Sequence, residues 1–188
     1  MKSRISSLVQ TAHHFLFYRI GQSHNVLDAT AGNGHDTLFL ASHSPLSAKV
    51  WFCDIQKQAL EKTTKLLEEA GLADKGVPIH ACHSAIDQYI KEPLDVAMFN
   101  LGYLPGGSHS LTTQKATTLT ALEKVLSLLV RGGLVSVIAY PGHFEGNLEH
   151  ETVRNYVMSL SSAHFMVARW ELVNQKNNPP VLYIVEKK

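Results

Sequence analysis

Three short strings in this 188-residue chain set acids, glycines and amide or hydroxyl side chains at spacings suited to binding a ligand and moving a group. The first runs Asn25-Val26-Leu27-Asp28-Ala29-Thr30-Ala31-Gly32-Asn33-Gly34, an apolar strand entering a glycine turn with Asp28 at the strand's end. Gly32 and Gly34 let the backbone approach a ligand closely. The next residues, His35-Asp36-Thr37-Leu38, open a helix with Asp36 in its first turn, where the partial positive charge of the N-terminus favours a carboxylate. A second strand, Lys49-Val50-Trp51-Phe52-Cys53-Asp54, ends in another acid 20 residues after Gly34. In a strand-turn-helix-strand unit, an acid at that distance lies beside the ribose of a bound nucleoside. The combination marks a nucleoside-cofactor site.

The glycines alone leave the cofactor open. A dinucleotide fold wants a third glycine where Thr37 stands, and the methyltransferase pattern acid-x-Gly-x-Gly-x-Gly has a glycine where Thr30 stands. The second string, Asn100-Leu101-Gly102-Tyr103, follows a fourth strand and resembles the Asn/Asp-Pro-Pro-Tyr motif of amine-directed methyltransferases, with Leu-Gly in place of Pro-Pro. In that resemblance the Asn side-chain oxygen and the next carbonyl accept hydrogen bonds from the target amine and aim its lone pair. The plain alternative is a turn in which Asn100 caps the backbone. The third string, Tyr140-Pro141-Gly142-His143-Phe144-Glu145-Gly146, brings a histidine and a carboxylate to the same rim. His83-Ser84 follow the third strand, and His80 before them reads as structural. His13 and His14 are adjacent and cannot share a helical face, and neither His-x-x-x-His nor Cys-x-x-Cys spacing occurs, so no metal site is expected. The absence of a Gly-x-Ser-x-Gly elbow argues against an acyl hydrolase.

The elements that must position these strings alternate. Apolar spacing predicts an N-terminal helix over Ser3 to Ile20, ended by Gly21. Strands follow at Val26–Asp28, Val50–Asp54, Val77–Cys82, Leu94–Phe99 and Leu134–Ala139. Helices follow at Asp36–Ser42, Gln56–Ala70, Ala85–Ile90, Thr112–Val130 and Leu148–Leu160. Strands without polar alternation are those buried on both faces of a parallel sheet. The end breaks the pattern: Phe165–Val173 and Val181–Glu186 have no helix between them and should pair as an antiparallel hairpin. The expected architecture is α/β, a Rossmann-like doubly wound seven-stranded sheet closed by that hairpin, in one domain spanning the chain. Loops at the carboxyl ends of its strands are where such sheets bind ligands.

Composition is that of a globular chain, 45% hydrophobic and 18% charged, and a domain of this size buries about 70% of its unfolded surface. No apolar stretch reaches a membrane span, and the N-terminal segment with Lys2 and Arg4 lacks a signal-peptide core, so the cytoplasm is the expected compartment. Cys53 and Cys82 fall in predicted strands and read as buried thiols. A net charge of +1 announces no nucleic-acid binder. RNA contact would need a local patch, with Lys2, Arg4, Arg19 and Arg131 as candidates.

Taken together, Asp28 to Thr37, Asp54-Ile55-Gln56, Asn100 to Gly107 and Tyr140-Pro141-Gly142-His143 resemble one family: the small class I S-adenosylmethionine-dependent methyltransferases labelled rRNA methylases. Its MnmM-type members methylate the aminomethyl group of tRNA wobble 5-aminomethyl-2-thiouridine. The resemblance implies S-adenosyl-L-methionine as cofactor. It implies a cofactor site of Asp28, Ala29, Thr30, Gly32, Asn33, Gly34, Asp36, Thr37, Asp54, Ile55, Gln56, His83, Ser84, Asn100, Leu101 and Gly102. Asp28 would face the cofactor's amino-acid moiety, directly or through water, and Asp54 its ribose. Asn100, Tyr103 and His143 would carry the chemistry, Asn100 with the Leu101 carbonyl orienting the amine and Tyr103 or His143 taking its proton. His13 falls where family members carry a histidine. The partner implied is the tRNA anticodon region, with no membrane, and dimerisation would widen the RNA surface of so small an enzyme. The alternatives are an rRNA or small-molecule methyltransferase, a NAD-dependent oxidoreductase, and a non-catalytic RNA-binding module.

Overall fold

The computed structural model describes residues 7–102 and 113–188. Helix α1 (Leu8–Ile20) starts at Ser7, whose hydroxyl accepts the Gln10 N–H at 3.3 Å, and buries Leu8, Ala12, Leu16 and Ile20 at four-residue spacing. That stripe lays one helix face on the sheet. The order continues β1 (Asn25–Asp28), α2 (His35–His43), β2 (Lys49–Asp54), α3 (Lys57–Glu69), β3 (Gly76–His80), α4 (Ile86–Tyr89) and β4 (Leu94–Asn100). It ends α5 (Lys115–Leu128), β5 (Leu129–Ala139), α6 (Phe144–Ser159), β6 (Phe165–Glu171) and β7 (Val181–Lys187).

The strands form one seven-stranded sheet in the order β3-β2-β1-β4-β5-β7-β6. All pairs among β1 to β5 are parallel, while β7 runs antiparallel between β5 and β6. The terminal hairpin is therefore present, with β7 placed inside β6. Period-two alternation sends Val26, Val50, Phe52, Val96, Met98 and Ile138 to one face, where they pack with α1, α2 and α3. Leu27, Trp51, Cys53, Ala97, Phe99, Val135 and Val137 face the other layer, with α5 and α6. The order in which successive strands are added reverses between β1 and β4, which remain parallel, and the crevice above their carboxyl ends is the switch point where open sheets bind ligands.

Several boundaries differ from expectation. Helix α5 stops at Leu128 rather than Val130, because Leu129 pairs with Leu94 of β4 and the ladder resumes at Val96 with Leu134 after an irregularity. An open backbone edge on β4 thus outcompetes the local helical pattern. Helix α6 begins at Phe144, four residues before the expected Leu148, because His143 caps it. Strand β3 ends at His80, so Cys82 lies beyond it. Expected residues Ser3 to Ser6 of the first helix and Thr112 of the fifth lie outside the described residues.

Candidate active site

The glycine turn is built around Asp28. Its carboxylate is fully buried and accepts the Thr30 N–H at 3.1 Å and the Thr37 hydroxyl at 2.7 Å. Thr37, which breaks the dinucleotide pattern, is thus the partner that holds Asp28. Burial, then the neighbouring Asp36 charge, pushes the Asp28 carboxyl up to about 7 against the pull of its two hydrogen bonds. Gly34 has φ +82°, and a Cβ there would lie 2.8 Å from Thr63 Oγ1 on α3, so the turn needs glycine for both conformation and space. At the end of β2, Asp54 accepts the Gly32 N–H at 3.0 Å and the Gln56 N–H at 2.8 Å. Exposed Ile55 lies beside it. Asn33 accepts from the Lys62 ammonium at 2.7 Å.

Asn100 ends β4 opposite that turn, its N–H bonded to Thr30 Oγ1 at 2.8 Å. Its side chain joins a chain of polar groups: Nδ2 donates to Asp36 Oδ2 at 3.3 Å, and Oδ1 accepts from the Tyr140 hydroxyl at 2.9 Å. The other Asp36 oxygen is 2.7 Å from His13 Nε2, and the His13 ring stacks on Phe39 with centroids 3.6 Å apart. Burial, then the Asp36 charge, raises the Tyr140 phenol. Beneath the same loop, Gly102 and Thr113 exchange backbone and side-chain hydrogen bonds at 3.0 and 2.8 Å. Thr113 and Thr118 donate to Glu149 at 2.8 and 2.6 Å. Burial raises the Glu149 carboxyl.

The other sequence-predicted residues sort by depth. Ala29 and Leu101 are buried, while Thr30, Gly32, Asn33, Asp54, Gln56, Ser84, Asn100 and Gly102 are half-buried. Asp28, Asp36 and Thr37 are buried beside them, joined through the bonds described above. His83 turns inward against Phe99 and Thr118, and burial holds its imidazole below the usual pKa. His143 caps α6, its Nδ1 accepting the Gly146 N–H at 3.1 Å. Tyr103 lies outside the described residues, as do Lys2 and Arg4. Arg19 is tied to Asp95 at 2.6 Å, and the same Asp95 receives the His24 and Asn25 N–H groups at the amino-terminal edge of the sheet, away from the crevice. Cys53 donates to the Ala81 carbonyl at 3.2 Å and its thiol is pushed up to about 12, chiefly by burial. Sequence reasoning placed Tyr140 in the third string without a role and missed Thr113 and Glu149. No local motif marks the last two, because each reaches the site only through the packing of α5 and α6.

The residues present fit a nucleoside cofactor. The Asp54 carboxylate, aligned by two backbone N–H groups and still able to accept, stands beside the apolar Ile55 shelf. A ribose diol needs such an acceptor and a purine face such a surface. Residues 50–186 match the family described as "Putative rRNA methylase". The chain is similar to a "putative rRNA-methylase" structure from Clostridium thermocellum, with 38% identity, 100% of each chain covered and TM-score 0.92. It is also similar to a "putative methyltransferase" from Streptococcus mutans solved in complex with SAH, again with 38% identity and 100% of each chain covered, at TM-score 0.86. A chloroplastic tRNA (mnm(5)s(2)U34)-methyltransferase of Arabidopsis thaliana is 34% identical over 95% of this chain and 69% of its own length. With the hairpin-closed sheet and the crevice above β1 and β4, these matches lead to one assignment: the chain belongs to the rRNA methylase family of class I methyltransferases.

Proposed function

We propose that the protein transfers a methyl group from S-adenosylmethionine to the aminomethyl nitrogen of 5-aminomethyl-2-thiouridine at the tRNA wobble position. The observation that carries this reading is the placement of Asn100, a half-buried carboxamide at the end of β4 facing the glycine turn across the switch point. A carboxamide oxygen beside a main-chain carbonyl is an acceptor pair suited to the N–H groups of an amine. The Arabidopsis relative's name supports the same nucleoside.

Asp54, Ile55 and Gln56 would hold the adenosine portion of the cofactor, and the Thr30 to Gly34 turn its amino-acid portion. When bound, the cofactor supplies an electrophilic methyl group on sulfonium. An alkyl ammonium has a pKa of about 10, so the substrate must lose a proton before its lone pair can attack. Asn100 and the Leu101 carbonyl orient that nitrogen, and Tyr103 or His143 is the residue we propose as proton acceptor or relay, from its place in the sequence strings.

Contact with the anticodon region and pairing of two copies belong to the same reading. Exposed Phe15, Met166 and Trp170 beside edge strand β6 support the pairing. Two free cysteines, one buried, fit the reducing cytoplasm we infer as compartment. Among the described residues no helix is long and apolar enough to cross a membrane.

Mass spectrometry of tRNA nucleosides from a strain lacking the gene tests the proposal. Accumulated 5-aminomethyl-2-thiouridine, cleared on re-expression, is the expected result, and an unchanged profile overturns it. Loss of an rRNA methyl group would favour the rRNA alternative. RNA binding without methyl transfer would favour a non-catalytic module.

A further inference from the structure

We propose that His13, Asp36 and Tyr140 act as positioning residues that lock the Asn100 carboxamide with Oδ1 turned to the acceptor amine. The inference rests on the amine-methylation reading above. An asparagine side chain has two ends of similar shape and opposite hydrogen-bonding sense, and a half-turn about its last torsion exchanges them. With the ends reversed, Asn100 would present N–H to N–H.

The structure breaks that symmetry at Asp36 and holds the resulting orientation through Tyr140. Asp36 as a carboxylate can only accept, and its Oδ2 takes the Asn100 Nδ2–H at 3.3 Å. The Tyr140 hydroxyl donates to Oδ1 at 2.9 Å. A reversed carboxamide would face its oxygen to the Asp36 oxygen and give up the hydrogen bond that the Tyr140 hydroxyl donates to Oδ1. Burial and the nearby Asp36 charge raise the Tyr140 phenol, which keeps it a donor at neutral pH. His13 acts one step further back, with Nε2 at 2.7 Å from the second Asp36 oxygen. The imidazole is parallel to Phe39 within 1° and stacked on it, which fixes its aim.

Asp36 is 6% exposed, so the carboxylate is shielded from competing water. Asn100 is the half-buried end of the chain, and its Oδ1, with one hydrogen bond from Tyr140, keeps a second acceptor site. Its backbone is pinned separately through Thr30, so the lock acts on the side-chain torsion alone. The four residues come from α1, α2, β4 and the loop after β5, which accounts for the need to seat α1 firmly on the sheet.

The test compares wild type with Asp36→Asn, His13→Ala, His13→Gln and Tyr140→Phe on tRNA bearing 5-aminomethyl-2-thiouridine. Asp36→Asn should lower kcat about 10- to 100-fold, the scale for a lost hydrogen bond to a charged group. KM for tRNA and SAH affinity by calorimetry should change less than about threefold. His13→Ala should cost about tenfold and His13→Gln, whose amide still donates to Asp36, should recover most of it. Tyr140→Phe should behave like His13→Ala.

An activity-independent readout is the Asn100 side-chain amide in 1H–15N spectra, identified by its loss in Asn100→Asp. Its downfield proton, bonded to a carboxylate, should move upfield in Asp36→Asn. Unchanged kcat in folded Asp36→Asn, SAH affinity falling by the same factor as kcat, or an unmoved amide proton overturns the inference. If Asp36→Asn does not fold, equal turnover of His13→Ala and His13→Gln overturns it instead. A wild-type protein that leaves the amine unmethylated refutes the proposed function, while the amide spectrum still decides the lock.

Discussion

Asp28 shows at the scale of one residue how burial writes pH dependence into the site. Its carboxyl is raised from 3.8 to about 7, first by burial and then by Asp36. The folded state therefore holds this proton more tightly than the unfolded chain. That contribution to stability is complete below about pH 4 and is lost as pH rises through about 7. Wild type should lose more stability than Asp28→Asn between pH 5 and pH 8, measured by denaturant midpoints. Buried His83 shifts the opposite way but is common to both proteins and cancels in the difference. A cationic ligand in the crevice should pull the Asp28 pKa down and release a proton on binding near pH 7. Calorimetry in buffers of different ionisation heat should show more proton release for S-adenosylmethionine, which carries the sulfonium charge, than for SAH. Equal release from the two ligands would place the α-ammonium, which both carry, and not the sulfonium beside Asp28, and no release from either would argue against any cation held there. Asp28 and its turn were legible in the sequence because the chemistry is local. The use of Thr37 as its donor was not, because the side chain has to fold back nine positions to reach it.

Among the elements, the first turn of α6 packs closely on Tyr140. A Cβ on Gly146 would overlap the Tyr140 carbonyl oxygen and crowd the His143 ring, whereas one on Gly142 would meet ordinary contacts at 3.8 Å. Gly146→Ala should therefore cost about 1 to 3 kcal/mol through overpacking against backbone. Gly142→Ala should stay within about 0.5 kcal/mol. Denaturant melts of the two variants check the contrast, and equal midpoints would refute it. His143 belongs to the same turn, and His143→Ala should cost about 1 kcal/mol as a lost cap even where no proton transfer is involved. A pH profile of turnover in that variant separates capping from catalysis. The alternation of strands and helices, and the hairpin, could be read from periodicity. The start of α6 and the end of α5 could not. The first depends on a histidine acting as cap, and the second on Leu129 finding Leu94 across the sheet.

For the whole molecule, the sheet order places the glycine turn of β1 beside the Asn100 end of β4 and flanks them with Asp54 and Tyr140. Such a crevice should bind its cofactor in the folded state alone. S-adenosylmethionine at 100 times its dissociation constant should then raise stability by about 2.7 kcal/mol. NAD should produce no shift in the same thermal melt, and a shift with NAD alone would revive the oxidoreductase alternative. The amino-acid sequence by itself determined the doubly wound class, the cofactor-type turn, Asp54 and the Asn100 string, because each is written in short-range periodicity or in residues a few positions apart. Only the tertiary structure decided that Arg19 pairs with Asp95, and that Thr113 and Glu149 brace the base of the Asn100 loop. It also decided that His13, Asp36, Asn100 and Tyr140 form one hydrogen-bonded chain. These contacts join residues far apart in sequence, and no local pattern encodes a distance that exists only once helices have packed on the sheet.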